Sequence, residues 1–461
     1  MKKKFFEQYI TKQQMTRISM VVVLLVFALN SFAAAENTLT LGEAIDIALS
    51  HNKDLKQAAN QVKTSEISMN QKKADFLPTL SASANASQQY FKSSNVLSGN
   101  YENQNSRTLD GNITASVNVF NGFYDKASLQ KAQLELNAQE NTYARSSQAV
   151  VFETIQRYIQ VVLAKDLIAV EKENLESQKL QLNLIEDYFK AGLRPITDVY
   201  QQKSEISKAE YTLLEAERNY KVNLLLLLQT IGLQPTTGYK VAGLNIDKLL
   251  GEIKMPGKEE ALNQAFEKRT DLSALDLSIK AAEKDIKIAK SGLLPKVTLK
   301  AGIGTDYSSL DKSSDLSSQL FKHNLNGSIG LSLSIPIFDK GTTNRNIATA
   351  RINVQNQQLA LEKQRNQVEV EVQQAIEDYL TAVRQVESAE SQFSYAQSAL
   401  ESIEARYKEK ASTMVELTQT RTQYLEASYN RVKSKYNLVI QAVAAAFYQG
   451  NPDEITALIR K

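Results

Sequence analysis

The stretch Ser328-Ile329-Gly330-Leu331-Ser332-Leu333-Ser334-Ile335 decides the fold. Ile329, Leu331, Leu333 and Ile335 fall on one side of an extended chain, and Ser328, Gly330, Ser332 and Ser334 on the other. Alternation with period two is the mark of a strand with one apolar and one polar face. Upstream, Val297, Leu299, Ala301 and Ile303 alternate with Thr298, Lys300 and Gly302. The pattern occurs twice more. Leu80, Ala82, Ala84 and Ala86 oppose Ser81, Ser83, Asn85 and Ser87, and Ile113, Ala115, Val117 and Val119 oppose Thr114, Ser116 and Asn118. The spacing predicts four strands, about 79–90, 108–119, 296–307 and 326–337.

Those strands sit inside a unit written twice. Asp54-Leu55 returns as Asp271-Leu272, and Phe76-Leu77-Pro78 as Leu293-Leu294-Pro295, both offset by 217. Ile155, Tyr158 and Val162 recur as Ile376, Tyr379 and Val383, offset by 221. Ile196-Thr197-Asp198-Val199 answers to Met414-Val415-Glu416-Leu417, offset by 218. Ordered blocks at a nearly constant offset are the sign of duplication. Each copy predicts a helix ended by Leu-Pro (41–76 and 258–293), a hairpin, and a very long helix (124–190 and 344–410). A returning helix of half that length follows, at 196–231 and 415–447. At 1.5 Å per residue the long helices reach roughly 100 Å, which predicts a tall bundle or cylinder. The organisation is thus a leader (1–35), a first repeat (36–235), an intermediate segment (236–256), a second repeat (257–450) and a tail (451–461).

Composition narrows the function. Among 461 residues there are no Cys and only two His, His51 and His323, far apart in the chain. Thiolate chemistry and disulfides are excluded, the two distant His argue against a His-based metal site, and no cofactor is implied. The carboxylates are dispersed, so an enzyme lacks its convergent acid, base or nucleophile. Lys2, Lys3, Lys4, Lys12 and Arg17 precede the apolar run Met20–Leu29 and Ala33-Ala34-Ala35, the layout of a secretory signal peptide, with Met15 a second possible start. That leader carries net +4 of the chain's +3, so the remainder is close to neutral. Lys203 and Lys208 are interleaved with Glu205 and read as a solvated face, not a nucleic-acid patch.

Four strands cannot close a barrel, since the smallest common barrels need about eight. Isolated hairpins are marginal alone, and a third option is that several chains each lend four strands to a shared barrel. A soluble α+β protein whose two hairpins pack on its own helices would alternate equally well. A lipid-facing exterior and a watery lumen require the observed division of faces. Aromatics near the strand ends, Phe76, Phe120 and Phe338 at one and Tyr90, Phe91, Tyr307 and Phe321 at the other, suit interfacial girdles. The polar segments 92–107 and 308–323 suit exposed loops. The fold class is a mixed α+β membrane protein with a duplicated helix–hairpin–long helix–helix unit. A periplasmic coiled-coil scaffold is the competing reading.

The sequence resembles the TolC-type outer-membrane efflux proteins. The resemblance is carried by Ser334-Ile335-Pro336-Ile337-Phe338-Asp339-Lys340-Gly341, by Tyr188-Phe189-Lys190-Ala191-Gly192-Leu193-Arg194-Pro195-Ile196-Thr197-Asp198-Val199, and by the opening Leu41-Gly42-Glu43-Ala44. It implies a homotrimer with a 12-stranded barrel in outer-membrane lipid, continued by a coiled-coil helical barrel through the periplasm. Such a duct serves a tripartite efflux or type I secretion system with a periplasmic adaptor and an inner-membrane transporter. By position, Glu416 falls on the acidic ring of the periplasmic aperture, with Gln419 in place of an acid at the next ring position. Thr197 and Asp198 match closing contacts, and Tyr407 falls where a tyrosine would bond Asp198. The gating arginine of the family falls at Ser412, which leaves open whether Arg194 takes its place. Gly192, Leu193 and Arg194 match the adaptor-contact tip, whereas Lys410, Ala411 and Ser412 depart from the second one. Apart from the resemblance, an acid such as Glu416 near a helix start reads as a capping or solvated residue.

Overall fold

The computed structural model describes residues 38–94, 101–234, 238–252 and 257–451. The leader read over 1–35 lies outside the described residues, as does the tail beyond Asn451. The elements run β1 (Thr38–Leu39), α1 (Leu41–His51), α2 (Lys53–Ala74), β2 (Thr79–Ser94), β3 (Tyr101–Asn121), α3 (Tyr124–Lys190) and α4 (Ile196–Thr230). The chain continues through β4 (Lys240–Val241), α5 (Ile246–Glu252), α6 (Lys258–Lys268), α7 (Thr270–Lys290), β5 (Lys296–Ser308), β6 (Asn326–Ser334), α8 (Thr342–Lys408) and α9 (Met414–Tyr448). Two compact units emerge among the described residues, one within 54–147 and 258–373, the other within 38–53, 148–257 and 374–451. Each draws on both repeats.

The first unit holds a four-stranded antiparallel sheet in the order β2-β3-β5-β6. The β3–β5 register joins the two hairpins face to face. Ile113 lies opposite Ile303, Ala115 opposite Ala301 and Val117 opposite Leu299, while Ser116 meets Lys300 and Asn118 meets Thr298. One apolar face therefore runs across both repeats, and it is bare: Leu80 is 75% and Ile329 78% exposed. The first hairpin is longer than the alternation predicts. Pairing continues from Ala86↔Leu109 to Ser94↔Tyr101 and absorbs polar residues read as loop. β6 stops at Ser334 rather than 337, since Pro336 has no N–H to donate.

The helices expected over 41–76 and 258–293 are each two helices, which corrects the sequence reading. The breaks fall at Asn52 and Arg269, equivalent positions 217 apart. Both residues take extended backbone, ψ 131° and 118°. Side-chain bonds compensate for the interrupted ladder. Asn52 Nδ2 donates to the Thr230 carbonyl at 2.8 Å. The Arg269 guanidinium is buried and pairs with Asp271 and Glu371, both at 2.6 Å. A buried charge of this kind is tolerated only because it is paired and hydrogen-bonded.

In the second unit, β1 and β4 form a two-residue parallel pair. The buried Tyr158 hydroxyl lies 3.0 Å from the carbonyls of both Leu39 and Ala242 and ties that pair to α3. α4 closes at Gly232, whose φ of +80° is left-handed, and Leu233 N donates to Leu228 O at 2.9 Å. A Cβ at Gly232 would stand 2.5 Å from the His51 carbonyl. Gly232→Ala is expected to cost about 1–3 kcal/mol through left-handed strain and this clash, read as a lowered thermal midpoint.

A candidate gating tip built from two helical hairpins

α3 and α8 end in the same way. Leu193 N donates to Tyr188 O at 2.8 Å and Gly192 N to Phe189 O at 2.9 Å, with Gly192 at φ +72°. Ala411 N donates to Arg406 O at 2.8 Å and Lys410 N to Tyr407 O at 3.1 Å, with Lys410 at φ +65°. Both are Schellman closures, but the second places a lysine where glycine is the easy residue. Pro195 then opens α4, and Thr413 opens α9.

The turns enclose a small apolar core of Ile185, Val199, Tyr407, Met414 and Leu417. Inside it, Tyr407 is fully buried and its hydroxyl donates to Asp198 Oδ2 at 3.2 Å. Arg194 turns inward. Its Nη2 donates to the Ser412 carbonyl at 2.9 Å and the Tyr407 carbonyl at 3.3 Å, and its guanidinium lies 4.2 Å from the centre of the Tyr407 ring. Tyr188 adds a bond from its hydroxyl to Lys408 O at 3.4 Å. One hairpin turn thus grips the other.

Glu416 lies on the first turn of α9 and is exposed. Its Oε2 accepts from the Ser412 hydroxyl at 2.6 Å and Thr413 N at 3.0 Å, while Glu416 N donates to Thr413 Oγ1 at 3.2 Å. This reciprocal arrangement is a capping box. Those hydrogen bonds, led by Ser412, hold the Glu416 carboxyl below the usual carboxylate range, so it is charged at neutral pH. Gln419 lies one turn further on, exposed. Thr197, Gly192, Leu193, Lys410 and Ala411 are also exposed, whereas Ser412 is buried. The structure therefore brings Arg194, Asp198, Tyr407, Ser412 and Glu416 into one connected group and leaves Thr197 and Gln419 outside its hydrogen bonds.

Further along the helices lie polar contacts that sequence reading missed. Arg421 pairs with Glu404 and reaches Gln178, whose side chain and carbonyl accept from the buried Gln202 Nε2. Tyr429 donates to Glu171, and Tyr436 to Asp166. No periodicity announces them. Among the described residues no group of three or more His, Asp or Glu is placed to hold a metal ion, and no helix is long and apolar enough to cross a membrane.

The chain thus combines a four-stranded sheet bare on its apolar face with two helices of 67 residues that end in tied turns. A profile of the family described as "Outer membrane efflux protein" matches residues 44–233 and 261–451, and the chain belongs to that family. It is an outer-membrane efflux channel with a long periplasmic helical portion, as the resemblance implied. The outer membrane protein TolC of Escherichia coli K12 is 24% identical over 449 residues, covering 95% of this chain and 87% of that one. The solved structure of CusC superposes with a TM-score of 0.78 at 19% identity, over 89% of this chain and 92% of that one. The Campylobacter jejuni CmeC outer membrane channel superposes with a TM-score of 0.76 at 18% identity, over 89% and 86% respectively. Members of the family are channels and not enzymes.

Burial, and then the neighbouring Asp198 charge, push the Tyr407 hydroxyl up from 10.0 to about 12. A raised folded value means that the native state holds the proton longer. The associated stability is full below pH 10 and lost as pH rises from 10 towards 12. Tyr407→Phe is expected to cost about 1 kcal/mol at neutral pH and to flatten that alkaline decline in urea midpoints.

Proposed function

We propose that three copies of this chain assemble into one duct, each contributing its four strands to a 12-stranded outer-membrane barrel. The observation that carries this reading is the open sheet. β2 pairs with β3 and β6 with β5, so each edge strand has a side without a partner among the described residues, while the apolar face is exposed. Open edges are not tolerated in lipid, so further copies must supply the missing pairing. The duct passively conducts cargo delivered by an inner-membrane transporter through a periplasmic adaptor, in tripartite efflux or type I secretion. Gly192, Leu193, Lys410 and Ala411, exposed at the turns, are the contact surface for that adaptor.

The tip is the closing element. Asp198, Tyr407 and the inward Arg194 hold the two hairpins of one copy together in the resting state, with Thr197 beside them. The role that the family assigns to an arginine at the Ser412 position passes to Arg194, which reaches the Ser412 carbonyl from the opposite turn. Glu416 from each copy forms the charged ring of the aperture. Gln419, neutral, leaves that ring single and its cation preference modest.

In planar bilayers, purified trimer is expected to give small steady steps. Arg194→Ala combined with Asp198→Ala should raise the conductance several-fold. A scaffold would give no conductance in either form, and that outcome rejects the channel. Unchanged conductance in the double variant rejects the clamp alone. Glu416→Gln should shift the reversal potential in a salt gradient towards zero, and an unmoved potential removes Glu416 from the ring.

A further inference from the structure

Where α7 hands over to β5, the sheet unit carries a surface cleft of about 550 Å³. Its apolar wall is Leu293, Leu294 and Ile347, and its polar rim is Lys290, Asn344 and Arg351. Within this unit several cations meet acids, Lys72 with Asp75 at 3.0 Å, Lys131 with Asp285 at 2.8 Å and Arg269 with Glu371 at 2.6 Å, whereas Lys290 and Arg351 are exposed at the rim. Lys290 and Arg351 have no acidic partner among the described residues. Two uncompensated cations thus border one apolar hollow.

The wall is rigid. The turn Ser291–Leu294 is pressed against Gly122, where a Cβ would lie 2.7 Å from the Ser291 carbonyl and 2.9 Å from Leu294 Cβ. Gly292 is pressed against Thr343, whose Oγ1 would stand 2.8 Å from an added Cβ. The place matters equally. Lys290 is the last residue of α7, Lys296 the first of β5, and Asn344 to Arg351 occupy the opening turns of α8. The bare apolar surface of the sheet continues past β6 to Ile337, 95% exposed, and Phe338, 84% exposed, just before α8. The cleft therefore lies at the helical end of the lipid-facing wall, which is the periplasmic edge of the membrane.

We propose that this cleft binds an anionic glycerophospholipid of the periplasmic leaflet, with the phosphate between Lys290 and Arg351 and the upper acyl chains along Leu293, Leu294 and Ile347. Arginine and lysine at a membrane edge attract anionic headgroups, and an apolar wall beside them selects an amphiphile over a free anion. The inference rests on reading the sheet as the outer-membrane wall.

The chain has no tryptophan, so Leu293→Trp, at a residue 54% exposed, supplies a single reporter. The full chain carrying it is reconstituted in vesicles containing brominated phosphatidylglycerol or brominated phosphatidylcholine. Phosphatidylglycerol should quench with roughly 30-fold higher affinity, the effect of two basic residues at an anionic surface. The preference should vanish in Lys290→Gln/Arg351→Gln and persist in Lys208→Gln/Lys221→Gln, which removes the same two charges in the other unit. Equal quenching by the two lipids, or a preference that survives the double variant, overturns the proposal. So does abolition of the preference by millimolar inorganic phosphate, which would assign the cations to a free anion. Conductance of the same preparations separates the failures. Conducting trimers without lipid preference sink the cleft alone, while absence of conductance sinks the channel reading.

Discussion

Everything in this chain answers to one constraint: a backbone N–H or C=O cannot be left unpaired in lipid. Four antiparallel strands with one bare apolar face satisfy their inner ladders and leave two edges open. A soluble protein would cover those edges with a helix, a loop or a charge. Here the edge strand β6 reads Asn-Gly-Ser-Ile-Gly-Leu-Ser-Leu-Ser, with no charged residue and no proline within it. Nothing in it discourages pairing. The polar face of the sheet, with Ser116 opposite Lys300 and Asn118 opposite Thr298, would line the watery passage of the proposed trimer.

Duplication lets the same local solutions appear twice with different chemistry. Asn52 and Arg269 both interrupt a helix by swinging into extended backbone, yet one relies on a neutral amide and the other on a buried guanidinium with two acids. Gly192 and Lys410 both close a long helix in the left-handed region, but only the glycine does so without steric cost. Three residues before the lysine closure, Tyr407 is held by Arg194 and Asp198.

This division also explains what was legible in the sequence. The strands could be read because alternation is strict where one face meets lipid, and the two 67-residue helices because no Pro or Gly interrupts them. The breaks at Asn52 and Arg269 could not, since neither residue is a helix breaker and their partners Thr230 and Glu371 are distant in sequence. The β1–β4 pair is too short for any period to register. At the tip, the Tyr407–Asp198 pair came from family resemblance rather than from pattern. Whether Arg194 stands in for the gating arginine stays open in the sequence, because no property of residue type says that its guanidinium turns back over Tyr407. The tyrosine–carboxylate pairs on α9 were invisible for the same reason: each partner fits an amphipathic helix equally well alone.

Glu416 caps α9, and that role is compatible with the place proposed for it in a charged ring. A helix start favours an acid because it accepts free N–H groups and meets the positive end of the helix dipole. Those bonds, to Ser412 and Thr413, fix the side chain at the entrance to α9 and keep it ionised. A ring of carboxylates in a narrow neck faces the opposite pressure, because mutual repulsion favours protonation. The cap supplies the compensation locally, within each copy. It also ties the charge to Ser412, the residue whose carbonyl Arg194 holds. In the duct proposed above, Ser412 would link the two elements, since it bonds Glu416 through its hydroxyl and Arg194 through its carbonyl.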